Sequence, residues 1–161
     1  MTREFQTTRW SVVLAAGDSQ TLVSRNALAT LCETYWQPLY VFVRSRGISA
    51  DDAQDLVQEF LTRLIERHSV RRADPTRGRF RSFLLVALKH FLADERTRQN
   101  AQKRGGGESV LNLDFDVLEQ KGIPEPAGSD TPDKLYDRQW ALSTLDTVWE
   151  RLRNEYEATA R

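Results

Sequence analysis

Between Ala50 and Arg67 the apolar side chains fall at Ala53, Leu56, Val57, Phe60, Leu61, Leu64 and Ile65, stepping by three and four positions. That spacing gathers them on one face of an α-helix with 3.6 residues per turn, so this stretch must bury its stripe against other apolar surface. Ser49 stands where an N-cap is expected. Asp51 and Asp52 occupy the first turn, where they favour the positive end of the helix dipole. The rest of the chain has to supply the surface that covers the stripe.

Upstream, Leu28, Leu31, Cys32, Tyr35, Trp36, Leu39, Phe42 and Val43 form a second helical stripe, closed by Gly47 in the position a helix C-terminus prefers. Pro38 interrupts it, which predicts a kink near Thr34 or a break into two shorter helices. A short helix is expected over residues 8–16, stopped by Gly17, with Trp10 and Val13 packed inward. Downstream, Phe80, Phe83, Leu84, Ala87, Leu88, Phe91 and Leu92 make a third stripe. Gly105, Gly106 and Gly107 stop that helix, and residues 108–130 read as an acidic linker with a short helix over Phe115 to Gln120. A last helix starts at Thr131 as N-cap with Pro132 at its first position. Its Leu135, Leu142, Leu145, Trp149, Leu152 and Tyr156 follow a seven-residue register that suits packing along another helix. The expected class is therefore all-α, divided into a compact bundle over residues 1–104, a flexible linker over 105–130 and a C-terminal helix over 131–161.

Charge carries the next constraint. The 23 basic and 23 acidic side chains cancel over the whole chain, yet residues 63–104 hold 12 basic against 4 acidic groups. Residues 1–62 carry 5 against 7 and residues 105–161 carry 6 against 12, so a block of plus 8 sits between acidic flanks. Such asymmetry suggests a local surface for a polyanion.

Several classes are disfavoured. No window approaches the roughly 20 apolar residues a bilayer span needs. The N-terminus has no apolar core before a cleavage site, so a cytoplasmic location and no membrane partner are expected. One cysteine, Cys32, forms no internal disulfide, and two histidines fall short of a classical zinc set. Nucleophile elbows, phosphate-binding loops and metal-spaced clusters are missing, so no catalytic residue, metal or cofactor is expected.

Two constellations remain. Asp55, Gln58, Glu59 and Thr62 make a polar ridge opposite the buried stripe of the Ala50 helix; spacing alone favours a solvated face, and the alternative is a docking ridge for a basic partner. Arg71, Arg72, Arg77 and Arg79 surround a proline and a glycine in a loop that runs into Phe80, Arg81 and Phe83, with Lys89 and His90 two turns on. Cations interleaved with aromatic rings suit single-stranded nucleic acid, because the former neutralise phosphates and the latter stack on bases. Phe80 reads as core. For the arginines, solubility and phosphate binding both fit. His90 alone has no spacing that would make it a general base.

The run Asp52-Ala-Gln-Asp-Leu-Val-Gln-Glu-Phe-Leu-Thr-Arg-Leu and the later Gly78-Arg-Phe-Arg-Ser-Phe-Leu-Leu-Val-Ala-Leu-Lys-His-Phe-Leu-Ala-Asp-Glu-Arg resemble region 2 of the sigma-70 family, specifically extracytoplasmic-function (ECF) sigma factors of bacterial RNA polymerase. The resemblance covers roughly Ala27 to Arg104. It implies a non-enzymatic transcription initiation factor whose Ala50 helix binds the clamp coiled coil of the largest polymerase subunit through Asp52, Asp55, Gln58, Glu59 and Thr62. It also implies that Arg71, Arg72, Arg77, Arg79, Arg81, Phe83, Lys89 and His90 open and hold the non-template strand of the minus-ten element. Arg96, Arg98, Lys103 and Arg104 would grip phosphates without reading sequence. Phe83 stands where the family usually has tryptophan, and His90 where many members have asparagine. Thr131 to Tyr156 resembles the leading segment of region 4, whose helix-turn-helix is expected to be truncated or absent. An anti-sigma factor is a further expected partner. The other function that fits the same surfaces is an interaction module that sequesters polymerase or an anti-sigma factor without binding DNA.

Overall fold

The computed structural model describes residues 12–13, 22–66, 73, 79–99, 113–123 and 130–160. Regular structure among them is entirely helical, as expected: α1 (Leu22–Ser45), α2 (Ala50–Glu66), α3 (Phe80–Gln99), α4 (Phe115–Lys121) and α5 (Pro132–Thr159). Val12 and Val13 are helical and Val13 is buried, while Trp10 and the rest of the expected residue 8–16 helix lie outside the described residues. The chain divides into two compact units. One comprises Met1–Glu33 and Gln54–Leu113, the other Thr34–Ala53 and Asp114–Arg161.

Local chemistry sets the helix ends. The Ser49 hydroxyl accepts a hydrogen bond from the Asp52 amide at 3.3 Å, and Thr131 accepts from the Lys134 amide at 3.3 Å with Pro132 following it. Gly47 adopts φ +83°, the left-handed conformation that closes α1, and its amide donates to the Arg44 carbonyl.

Of the two outcomes expected at Pro38, the break into two shorter helices does not occur, for α1 runs unbroken through it. A proline inside a helix costs about 3 kcal/mol. Leu39, Tyr40, Val41, Phe42 and Val43 are all essentially buried, and each large apolar side chain returns about 1.5–3 kcal/mol on burial. Packing therefore outweighs the lost backbone bond.

Within the second unit, Phe115 on α4 meets the rings of Trp36 at 5.1 Å and Tyr40 at 4.9 Å. α4 occupies the site of the short helix expected there and is one residue longer; Asp114 caps it by accepting from the Val117 amide. Glu119 then receives the Tyr40 hydroxyl at 2.5 Å and the Arg44 Nε–H at 2.7 Å, and Arg44 also donates to the Ile48 carbonyl at 2.8 Å. α5 enters this unit through buried Leu135 and Tyr136, the latter packed edge-on against Phe42 at 6.4 Å. Two turns on, the Ser143 hydroxyl donates to the Gln37 side-chain oxygen at 3.0 Å.

The hydrogen-bonded Arg44 guanidinium holds the Glu119 carboxyl below its ordinary range against the opposing effect of partial burial, and the Tyr40 hydroxyl adds to the lowering. A carboxylate depressed in the folded state stabilises above its unfolded pKa of about 4.3, and that contribution disappears as pH falls through the lower folded value. Glu119→Gln should therefore cost about 1 kcal/mol at neutral pH. The difference from the parent, followed by thermal unfolding, should shrink towards zero as the solution is acidified below the carboxylate range.

Candidate polar ridge and nucleic-acid interface

α2 buries Leu56, Val57, Phe60, Leu61 and Leu64 in the first unit, which leaves Asp55 exposed and Gln58, Glu59 and Thr62 half-buried along its opposite side. The structure thus aligns the ridge residues on one helix. Asp52 is exposed in the first turn. Two ridge members have internal partners: the Thr62 hydroxyl donates to the Gln58 carbonyl at 2.8 Å, and the Glu59 carboxylate is ion-paired to Arg63 one turn along.

Arg63 was not singled out by sequence reasoning, and it organises this unit. Its guanidinium donates at once to Glu59 and, at 2.9 Å, to Glu95 on α3, while lying over the Phe91 ring at 5.0 Å from the centroid. Phe91 in turn packs on Phe60 at 5.6 Å. Glu95 is the one buried charged residue among those described, at 3% exposure. A charge there is tolerable only because a cation is hydrogen-bonded to it. In the sequence Glu95 takes the next position on the bearing of the third stripe, three residues past Leu92, and a carboxylate there was the available signal for a buried ion pair.

α3 buries Phe80, Leu84, Leu88, Phe91 and Leu92. At 100° per residue the opposite side carries Ser82, Phe83, Val86, His90, Ala93 and Asp94, with Arg79 just before the helix on the same bearing. Phe80 is core, as expected, and supports half-buried Phe83 in a stacked arrangement, 5.8 Å between centroids and 24° between planes. The expected interface therefore separates into parts. Arg79, Phe83 and His90 come together on one face; half-buried Lys89 and exposed Arg96 lie along its flank; Arg81 points to the far side of the helix, towards the core flank. Arg98 lies in the last turn of α3, and Arg71, Arg72, Arg77, Lys103 and Arg104 lie outside the described residues.

Val86 was missed. It is 53% exposed and sits one turn from both Phe83 and His90, so it widens the apolar part of this face. The third stripe leaves Val86 out, and that omission was the available signal for its exposure. Asp94, one turn beyond His90, adds a negative charge that the sequence reading left out.

Cys32 offers no chemistry to the site, since burial, together with the adjacent Glu33, pushes its thiol up to about 12 and keeps it protonated. Among the described residues no helix is long and apolar enough to cross a membrane.

Residues 31–102 match the family model for sigma-70 region 2. These residues, fewer than half of the chain, form a sigma-70 region 2 domain. The matched span runs from α1 to just beyond α3 and holds both the α2 ridge and the α3 face. A region 2 domain is a non-enzymatic module of transcription initiation, and its family implies binding to core RNA polymerase. No curated protein and no solved structure matches the chain at a significant level.

The Arg63 bridge within region 2 yields a stability prediction. Arg63→Met removes the cation bonded to buried Glu95 and should destabilise the domain by about 3 kcal/mol, the lower end for breaking a buried pair because Arg63 is partly exposed. Arg63→Met combined with Glu95→Leu should recover most of that loss in chemical denaturation.

Proposed function

We propose that the chain acts as an ECF-type sigma factor, which docks on core RNA polymerase through α2 and holds the melted non-template strand of a minus-ten promoter element on α3. Residues 1–104 form the working module in this reading, residues 105–130 the connection and residues 131–161 a helix available to a partner. The observation that supports it is the α3 face: cationic Arg79, the stacked and half-exposed Phe83, Val86 and His90, set in the chain segment that carries the net charge of plus 8. An unstacked base needs an aromatic or apolar platform beside a cation for its phosphate, and stacking contributes about 1–3 kcal/mol per base, comparable to the cost of opening each step.

Asp52, Asp55, Gln58, Glu59 and Thr62 form the polymerase contact in this proposal, with Asp55 as its most exposed member on the ridge. Arg71, Arg72 and Arg77 extend the strand-holding surface ahead of Arg79, and Lys89, Arg96, Arg98, Lys103 and Arg104 bind phosphates along it. An anti-sigma factor would compete for the same faces, and the working location is the cytoplasm. The second reading, an interaction module that sequesters polymerase or an anti-sigma factor, draws on Asp94, whose negative charge beside His90 opposes phosphate.

Two measurements separate these. Asp55→Lys with Gln58→Lys should abolish capture by core polymerase while the helical circular dichroism stays unchanged; Glu59 is left alone because it holds Arg63. Undiminished capture would remove the docking claim. Affinity for single-stranded promoter DNA, followed against salt, should give a log-log slope near minus 4 if about six phosphates are engaged. A flat profile would favour the sequestering module.

A further inference from the structure

α5 changes character along its length. Leu135 and Tyr136 are buried, but Leu142, Leu145, Val148, Trp149, Leu152 and Tyr156 are all exposed, Trp149 at 68% and Tyr156 at 76%. A contiguous patch of this kind marks an interaction surface. In the seven-residue register, Leu142, Trp149 and Tyr156 take the first core position (a), and Leu145 and Leu152 the second (d). The flanking positions then decide the occupant. Asp146 and Arg153 fall on the same flank (e), seven residues apart, and the opposite flank carries Ala141, Val148 and Glu155 (g).

We propose that this face is a homodimer interface, in which the exposed part of α5 pairs antiparallel with α5 of a second copy about a two-fold axis. With core positions alternating across the axis, Trp149 packs against the partner's Leu152, Leu145 against the partner's Tyr156 and Leu142 against the partner's Thr159. The same register sets Asp146 opposite the partner's Arg153, and the two-fold repeats that pair. A parallel pairing instead opposes Trp149 to its own copy and sets Val148 against the partner's Arg153 and Ala141 against the partner's Asp146, with no ion pair formed. The charges of this face are therefore self-complementary in the antiparallel direction, which fits a second copy and sets its orientation. The pairing uses only α5 and stands independently of the polymerase and DNA reading.

Sedimentation velocity of the full chain from about 2 to 100 µM tests it, since a surface of two and a half heptads supports association in the micromolar range. A monomer–dimer equilibrium is expected within that window. Asp146→Arg or Arg153→Asp alone turns two attractions into two repulsions and should weaken dimerisation about tenfold. The double reversal D146R/R153D should return it to near the parent value. Leu145→Asp with Leu152→Asp should leave a monomer with unchanged helical circular dichroism. A parent chain that stays monomeric at 100 µM would overturn the proposal and assign the face to another occupant. A double reversal no better than the single ones would overturn it as well.

Discussion

The Arg63 guanidinium meets three groups from two helices: Glu59 on its own helix, and Glu95 and the Phe91 ring on α3. Hydrophobic burial alone would hold α2 and α3 together, but apolar stripes tolerate sliding and rotation far better than a fork-shaped cation aimed at a buried carboxylate does. The bridge therefore fixes which residues of each helix face outwards. Asp55 and Gln58 remain on one exposed surface and Phe83, Val86 and His90 on another because the face between them is committed to this ion pair and to the Phe60–Phe91 packing.

The second unit uses the same device with different groups. Glu119 gathers the Tyr40 hydroxyl and the Arg44 guanidinium, and Phe115 seats between Trp36 and Tyr40, so a helix of 7 residues is held by tertiary partners. So short a helix would not persist alone in water. In both units a carboxylate supplied by one helix is matched to an arginine on another, and neither pair is visible as a local motif.

Much of the helical framework was legible because its signals are local. Ser49, Thr131 with Pro132, and Gly47 act within four residues of themselves, and the stripes of α2 and α3 repeat at a spacing only a helix satisfies. What escaped depended on distant partners. Pro38 is carried through α1 by the burial of Leu39 to Val43, and Tyr40, outside the expected stripe, is buried because its hydroxyl reaches Glu119, 79 positions away. On the candidate faces, the alignment of Asp55, Gln58, Glu59 and Thr62 along one side of α2 was legible from spacing. Arg81 lies towards the core flank of α3, a bearing that a count of arginines does not carry, and Val86, left out of the expected stripe, was not followed to the exposed face it occupies. α5 was legible in its register, and the structure adds that the register is covered only at Leu135.

In the proposed function, region 2 presents two separate faces on helices locked by Arg63, one for polymerase and one for single-stranded DNA. Hydrogen exchange read by mass spectrometry, on the chain alone, with core polymerase, with a single-stranded promoter oligonucleotide and with both, tests this most directly. Polymerase should protect the peptide spanning Asp55 to Thr62, DNA should protect the peptide spanning Arg79 to Ala93, and both protections should persist together in the ternary mixture. Loss of one protection when the other ligand is added, or protection of both peptides by a single ligand, would contradict it.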